Sequence, residues 1–399
     1  MIIKRALESE IRSMLGQGKA IVIYGARQVG KTTLLHQIFG TPESALSPNP
    51  FDQDPDQNSD QTSPLQASSP LWLNGDLDST RQRFESLTPD TAASIIGSHR
   101  TVIIDEAQRI PDIGLKLKIL QDAFGREVQF VVTGSSSFEL ANQISEPMTG
   151  RIWQLQLHPL MLSELVEAHG SVAELGALPQ RLIYGSYPDV VTHPQFAERI
   201  ISGLSQENLY RDVLNLSEVI KTDGLRKILQ ALAFQIGSQV SLNEIAQLVS
   251  LDRKTVDRYI SLLEQAFIIF RLPSYGKNLR NELKSSQKIY FYDIGIRNAL
   301  IDDFRPLDAR QDIGNVFENY IVSEIKKQTL GRLYFWRTTQ QQEVDLVIET
   351  AGSLRALEIK WNEKKSSRLP STFVDTYRPV AEYHINRQNY LDELPRLLS

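Results

Sequence analysis

A glycine-rich stretch near the amino terminus carries a lysine and a hydroxyl at a spacing suited to binding phosphate. Residues 25–32 read Gly-Ala-Arg-Gln-Val-Gly-Lys-Thr and fit the pattern G-x-x-x-x-G-K-T. The backbone N–H groups of such a loop, with the positive end of a following helix, can surround a polyanion. Lys31 would reach the β- and γ-phosphates of a nucleoside triphosphate, and Thr32 would ligate Mg²⁺. The expected nucleotide contacts are Gly25, Ala26, Arg27, Gln28, Val29, Gly30, Lys31, Thr32 and Thr33.

Two acidic residues, Asp105 and Glu106, directly follow the short apolar run of residues 101–104. The carboxyl end of a strand is where an α/β sheet presents side chains to a ligand. We expect Asp105 to hold Mg²⁺, and Glu106 to orient and deprotonate the water that attacks the terminal phosphate. An acidic pair after a strand is by itself more often a helix cap or a solvated turn. Its place downstream of a phosphate loop favours the catalytic interpretation.

Two further side chains are candidates for contacts with the terminal phosphate. The next apolar run ends in Thr133-Gly134-Ser135, so Thr133 is the expected sensor; Ser135 is its rival, and an ordinary cap is the alternative. Phosphoryl transfer also needs a cation beyond the loop lysine, from the same chain or from a neighbouring subunit. We choose Arg151, which implies a homo-oligomer if it acts between chains; a surface arginine bridging an acid is an equal alternative. The guanine-reading pattern N-K-x-D is absent from the sequence, which favours ATP over GTP.

A parallel α/β sheet is expected to position these residues. Residues 20–24 form an apolar run before the glycine loop, and residues 33–39 have helical spacing. Further strand-like runs lie at residues 71–73, 101–104, 128–132 and 152–157. Their alternation with helical or turn segments predicts parallel strands with crossover helices. Residues 41–70 are crowded with proline and polar residues, which predicts a disordered insertion.

Near the carboxyl terminus, two acids and a lysine fall on facing strands of a predicted hairpin. Residues 350–353 form the expected turn, and the strands on both sides alternate in polarity. This register sets Asp345 opposite Glu358, with Lys360 on the same face. Opposed carboxylates repel each other unless a cation lies between them. The pair could therefore bind Mg²⁺ or Mn²⁺, while the lysine positions or deprotonates water for attack on a phosphodiester.

A third acid would come from the helix predicted over residues 316–325. Glu318 lies at the margin of its apolar arc and is preferred as the ligand; Glu324, inside the arc, is the alternative. The competing interpretation is a half-exposed hairpin in which Glu358 and Lys360 form a solvated charge pair. The local motif does not decide between the two.

Between these regions the sequence is mainly helical and contains one helix-turn-helix rhythm, followed by two strand-like runs that could form a wing. Arg253, Lys254 and Arg258 flank or lie on its second helix, but Asp252 and Asp257 offset their charge. Both DNA reading and a purely structural role stay open for this unit.

Composition limits the alternatives. The chain has 399 residues, of which 41% are hydrophobic, enough for two or three domains with their own cores. Its formal net charge of −5 gives no global basic field, so a nucleic-acid contact would need a local patch. The absence of cysteine excludes disulfides and thiol catalysis. No signal-peptide pattern and no run of about 18 apolar residues is present, so we expect a cytoplasmic protein with no membrane partner.

The motifs together resemble those of a prokaryotic family of AAA+ ATPases whose carboxyl-terminal half is a domain of unknown function similar to PD-(D/E)xK nucleases. The segments that carry the resemblance are YGARQVGKTTLL, VIIDEAQ, TGSSS, GRIWQLQLHPLMLSE, YGSYPDV, LYRDV, KIYFYDIGIRNAL, GNVFENYIV, EVDLVI and LEIKW. The resemblance implies an AAA+ sheet in the order 5-1-4-3-2 and a restriction-endonuclease-like core. It supports Lys31, Thr32, Asp105 and Glu106 for ATP, and Glu318, Asp345, Glu358 and Lys360 for the nuclease-like site.

We therefore expect an α/β protein in three parts. These are a P-loop AAA+ domain at residues 1–160, a helical region at 161–300 with a winged helix-turn-helix at about 223–293, and a nuclease-like domain at 301–399. The expected ligands are ATP and Mg²⁺, and the expected partner is DNA. The alternative is an ATP-controlled regulatory or signalling switch whose last domain binds DNA or protein without cleaving. A chaperone-like module acting on protein is a third reading.

Overall fold

The computed structural model describes residues 2–41, 69–134, 144, 147–208, 222–276, 287–363 and 368–398. The chain divides into two compact units, one of residues 4–157 and one of residues 1–3 with 158–399. The predicted insertion lies almost wholly outside the described residues, as does Ser135. Within the described ranges, no helix has the length and apolar character that crossing a membrane would require.

The first unit contains a five-stranded sheet in which every neighbouring pair is parallel. Its strands β1 to β5 are Ala20–Tyr24, Leu71–Asn74, Thr101–Asp105, Gln129–Gly134 and Ile152–Gln156. Their order is β2-β3-β4-β1-β5, which confirms the predicted parallel α/β fold and, read in reverse, the order 5-1-4-3-2. The helices α1 to α5 of this unit are Leu7–Met14, Lys31–Phe39, Asp78–Glu85, Pro89–Ile96 and Ile113–Phe124.

Strand β1 is buried along its whole length, because its run of apolar residues suits a central parallel strand that is covered on both faces. The chain leaves β1 at Tyr24, crosses the glycine loop and enters α2 at Lys31. The loop therefore lies at the carboxyl end of β1, beside the ends of its neighbours.

The second unit begins with mainly helical sequence, as predicted. Its helices α6 to α10 are Leu162–His169, Ser171–Tyr184, Pro188–Thr192, Ala197–Gly203 and Thr222–Phe234. A three-stranded antiparallel sheet and two helices follow: β6 Gln239–Val240, α11 Leu242–Val249, α12 Arg253–Gln265, β7 Ile269–Pro273 and β8 Gln287–Phe291. Helix α12 begins after Asp252, whose Oδ1 accepts the Thr255 N–H at 2.9 Å and so caps the helix.

The last part of the chain forms a four-stranded mixed sheet in the order β12-β11-β10-β9. Its elements are α13 Ile294–Leu300, α14 Ile313–Gln328, β9 Arg332–Arg337, β10 Glu343–Thr350, β11 Ser353–Ile359, α15 Ser371–Tyr377, β12 Ala381–Ile385 and α16 Tyr390–Leu398. One hydrophobic core joins residues of α14 and this sheet to residues of α6, α7, β7 and β8. The expected boundary near residue 300 is therefore crossed by a shared core.

The predicted register of the β10–β11 hairpin is confirmed, because Leu346 pairs with Leu357 and Glu349 pairs with Leu354. The predicted four-residue turn is wrong. Thr350 pairs with Ser353, so the turn consists of Ala351 and Gly352 alone. Their φ angles of 49° and 80° are both left-handed, as the tight type I′ hairpin turn requires.

Candidate functional site

The glycine loop owes its shape to two glycines, for different reasons. Gly30 has a φ of 94°, a left-handed conformation that glycine adopts without strain. A Cβ on Gly25 would lie 2.3 Å from the backbone oxygen of Leu157, so close packing excludes a side chain there. Lys31 is buried, and its Nζ donates to the carbonyl oxygens of Gly25 and Ala26 at 2.8 and 3.0 Å. The ammonium is thereby held over the loop.

Three of the predicted side chains meet at the carboxyl ends of β3 and β4. Thr32 Oγ1 donates to Asp105 Oδ2 at 2.8 Å, although the two residues are 73 positions apart. Thr133, which is fully buried, donates to the other carboxylate oxygen of Asp105. A hydroxyl and a carboxylate at one point are donors of the type that Mg²⁺ prefers, so this pair fits the predicted metal. Thr133 contacts Asp105 directly, which is a different contact from the predicted one with phosphate.

Glu106 lies just beyond β3 and has a hydrogen-bond partner that the sequence did not reveal. Its Oε2 accepts the side-chain amide of Gln108 at 2.6 Å. Its N–H donates to Asp105 Oδ1 and to Thr133 Oγ1, each at 3.2 Å. The predicted base is therefore tied by its backbone to the predicted metal ligand.

Arg5 is a second residue that sequence reasoning missed. It is 4% exposed, and its Nη1 donates to the carbonyl oxygen of Val29 inside the glycine loop at 2.7 Å. Its place among the charged residues before α1 gave no signal of this contact. The contact fixes the loop from the side of the amino-terminal segment.

Arg151 lies at the amino-terminal ends of the strands, opposite the end that carries the glycine loop. Its carbonyl oxygen accepts the N–H of Ala20, the first residue of β1, and its guanidinium pairs with Asp122 at 2.6 Å. The glycine loop begins after Tyr24, the last residue of β1. The five residues of this strand separate the loop from the Arg151 backbone by about 16 Å. Arg151 therefore cannot reach a phosphate in the loop of its own chain, and a role between subunits stays a prediction.

The two hairpin acids of the carboxyl-terminal domain converge on one ammonium group. Lys360 Nζ lies 2.7 Å from Asp345 Oδ2 and 3.0 Å from Glu358 Oε2. Burial would lower the pKa of Lys360, but the two carboxylates outweigh it and the pKa is raised. Asp345 Oδ2 also accepts the N–H of Ile359 at 2.8 Å. Asp345 and Glu358 are thus directed at one positive charge, the ammonium of Lys360. Two carboxylates directed at one point fit the predicted site for a hard metal ion.

A bulge in β10 helps to aim Asp345. Val344 pairs with Trp336 and Val347 with Tyr334, so two residues of β10 oppose one residue of β9. Bulges bend a strand and redirect its side chains, and they are frequent beside active sites.

Of the two candidates for a third acid, Glu318 faces the hairpin acids and Glu324 does not. Glu324 accepts the N–H of Leu162 at 2.7 Å and pairs with Lys327 at 2.8 Å. Burial raises the pKa of Glu318, Lys288 opposes this rise, and repulsion from Asp345 adds to it.

Glu318 is nevertheless engaged by two residues of β8 that the sequence did not indicate. Its Oε1 accepts Lys288 Nζ at 3.0 Å and the Tyr290 hydroxyl at 2.6 Å. Lys288 also pairs with Glu343 at 2.6 Å. Within the part of the chain that the structure describes, no three acidic or histidine side chains are grouped so as to hold a metal ion.

The basic residues of α12 are less offset than the sequence suggested. Asp252 caps the helix, and Asp257 pairs with Arg271 at 2.8 Å. Arg253, Lys254 and Arg258 are exposed, and no ion pair joins them to another described residue. This face therefore presents three positive charges to solvent.

Three family models match consecutive parts of the chain. Residues 17–166 match an AAA domain. Residues 175–307 match a domain of unknown function (DUF8612), and residues 313–396 match a second domain of unknown function (DUF4143). The amino-terminal part of the chain is thus similar to an AAA domain, and the rest is similar to two domains of unknown function.

Relatives occur in bacteria and archaea. An uncharacterized protein of Mycobacterium tuberculosis is 27% identical over 364 residues, covering 90% of this chain and 74% of that protein. An uncharacterized protein of Methanocaldococcus jannaschii is 21% identical over 364 residues, covering 86% and 75%. A signal transduction ATPase with numerous domains and a tetratricopeptide repeat sensor, from Pyrococcus horikoshii, aligns with a TM-score of 0.26 and 13% identity over 83% of this chain and 46% of that one.

Proposed function

We propose that this protein is a Mg²⁺-dependent ATPase and that its nucleotide site is formed by residues 25–33 with Asp105, Glu106 and Thr133. The observation that carries the proposal is the 2.8 Å hydrogen bond between Thr32 and Asp105. It brings the Thr32 hydroxyl, just after the glycine loop, and the Asp105 carboxylate, at the end of β3, to one point. That point lies at the same end of the sheet as Lys31. Ordinary packing of an α/β unit does not require this pairing.

Each side chain then has a role. Bound Mg²⁺ would supply positive charge to the phosphates. Lys31 turns from the loop carbonyls to the phosphate oxygens, and Glu106 accepts the proton of the attacking water. Thr133 orients the Asp105 carboxylate, and Arg5 holds the loop backbone at Val29.

The affinity of the full chain for a fluorescent ATP analogue tests this assignment. Lys31→Ala should weaken binding at least about tenfold, because it removes a charge-assisted contact to phosphate. Arg83→Ala, an exposed arginine of α3, is the matched control and should leave the affinity unchanged. Equal affinity in Lys31→Ala and wild type would reject the nucleotide site.

We further propose that the ATPase is coupled to a carboxyl-terminal domain that acts on DNA through a metal-dependent, nuclease-like site. Support comes from the convergence of Asp345 and Glu358 on Lys360 and from the exposed basic face of α12. The order of α10, β6, α11, α12, β7 and β8, with an antiparallel sheet, also agrees with a winged helix. Lys360 would orient water, and the two acids would hold the cation that neutralises the phosphodiester.

Cleavage of plasmid DNA with Mn²⁺ tests the nuclease proposal. Asp345→Asn keeps the shape and the acceptor for the Ile359 N–H but removes a negative charge, so it should abolish cleavage. Glu349→Gln is the matched control, because Glu349 lies on the same strand but is not one of the proposed metal ligands. This variant should cleave as wild type does. Equal cleavage by wild type and Asp345→Asn would remove the nuclease proposal.

A regulatory switch that binds without cleaving is the second candidate. It is favoured by the neutralisation of the carboxyl-terminal acids by Lys288 and Lys360, since these ion pairs can serve structure alone. Retained DNA binding with no cleavage in wild type would support this candidate.

A further inference from the structure

Two residues of β8 hold the same oxygen of Glu318. Lys288 and Tyr290 are two positions apart on the strand, so their side chains lie on one face of it. Lys288 Nζ and the Tyr290 hydroxyl approach Glu318 Oε1 to 3.0 and 2.6 Å. Lys288 is 1% exposed and Tyr290 is fully buried, so neither group is a surface contact that solvent could replace.

Lys288 also ties Glu318 to the four-stranded sheet. Its ammonium lies 2.6 Å from Glu343 Oε1, on β10 two residues before Asp345. The acids thus fall into two sets, each bridged by one lysine: Glu318 and Glu343 by Lys288, and Asp345 and Glu358 by Lys360.

This arrangement occupies one of the two carboxylate oxygens of the third acid. A carboxylate oxygen has about two lone-pair positions, and both positions of Glu318 Oε1 already accept a donor. No three acids converge on one point among the residues that the structure describes. For Glu318 Oε1 to join Asp345 and Glu358 around a cation, its bonds to β8 must first be released.

We propose that Lys288 and Tyr290 form a clamp that holds Glu318 away from Asp345 and Glu358, and that a divalent cation must take Glu318 from this clamp to complete its site. This inference rests on the proposed metal-dependent function of the carboxyl-terminal domain. Since β8 belongs to the three-stranded sheet beside the basic helix α12, the clamp makes cation affinity depend on the position of that sheet.

Calorimetric titration of the full chain with Mn²⁺ tests the clamp without relying on catalysis. Tyr290→Phe removes only the hydroxyl and keeps the ring in the core, so it should tighten Mn²⁺ binding about fivefold to tenfold. Tyr334→Phe is the matched control, because it removes a hydroxyl that faces Glu349, outside the clamp, and should leave the affinity unchanged. Asp345→Asn should abolish Mn²⁺ binding at the proposed site. The heat that remains in this variant then measures binding at other Mn²⁺ sites.

Lys288→Met is the stronger variant. It should tighten Mn²⁺ binding more than Tyr290→Phe does, and Mn²⁺ should raise its midpoint of thermal unfolding more than that of wild type. Glu318→Gln added to either variant should cancel the gain. If Lys288→Met does not fold, Tyr290→Phe decides alone.

Two results would overturn the inference in distinguishable ways. Unchanged or weaker Mn²⁺ binding in Tyr290→Phe, with a wild-type signal that Asp345→Asn removes, rejects the clamp and leaves the metal site standing. No Asp345-dependent Mn²⁺ binding in wild type or in Tyr290→Phe rejects both the metal site and the clamp.

Discussion

At Glu106 the backbone has a φ of 50°, which residues with a side chain rarely adopt. The conformation is held by the two hydrogen bonds from its N–H to Asp105 and Thr133. Strain of this kind persists only where the surroundings fix it, and it is concentrated at functional sites. It places the predicted base immediately beside the predicted Mg²⁺ ligand.

Glu106→Gln should therefore separate binding from hydrolysis. The amide keeps the size of the side chain but cannot accept a proton, so ATP turnover should fall about 10²- to 10⁴-fold while ATP affinity is kept. Steady-state phosphate release and analogue binding measure the two quantities. Glu127→Gln, at the other end of the sheet, serves as the control. A turnover rate equal to that of wild type would remove Glu106 from the mechanism.

Arg5→Met should loosen the glycine loop. The substitution leaves the Val29 carbonyl without its buried donor, which costs about 1–3 kcal/mol. We expect a lower midpoint of thermal unfolding and weaker ATP binding, both relative to Arg12→Met, which removes an exposed arginine paired with Glu8. If Arg5→Met and Arg12→Met behave alike, the loop does not depend on this contact.

Among the elements, the β10–β11 hairpin carries the two acids, and its turn sets their register. Ala351 and Gly352 are both left-handed, a conformation that costs a residue with a Cβ about 1–2 kcal/mol. Gly352→Ala should therefore lower stability by about 1 kcal/mol, whereas Ala351→Asn should raise it, because Asn-Gly is the preferred type I′ pair. Chemical denaturation of the two variants measures both changes. Shifts of the same sign would contradict this turn geometry.

The fold and part of each site could be predicted because they depend on local patterns. Five apolar residues before a glycine loop mark β1, and alternation along β10 and β11 fixes which residues face each other. The turn was mispredicted because strand pairing continued by one residue on each side, which alternation alone does not reveal.

The remaining site residues depend on contacts between elements far apart in the chain. Lys288 meets Glu318 across 30 positions, and Arg5 meets Val29 across 24. Both are charged side chains that a sequence pattern assigns to solvent. Only the packing of β8 against α14, and of the amino-terminal segment against the loop, brings them to their partners.

For the molecule as a whole, the basic face of α12 predicts how DNA binding should respond to salt. The double variant Arg253→Ala with Arg258→Ala should bind DNA more weakly than wild type. It should also reduce the slope of log affinity against log salt concentration by about 2, since each phosphate contact contributes about 0.9. The double variant Arg83→Ala with Arg199→Ala removes the same charge elsewhere and should change neither quantity. Equal slopes for both double variants would exclude this face as the DNA contact.

The Mg²⁺–ATP site between the glycine loop and Asp105 is the central assignment for this protein. Steady-state ATP turnover by the full chain, with Mg²⁺ or with EDTA, tests it directly in wild type and Lys31→Ala. We predict turnover in wild type only when Mg²⁺ is present, and a loss of about 100-fold or more in Lys31→Ala. Turnover that is equal in the two proteins, or that persists in EDTA, would contradict the account.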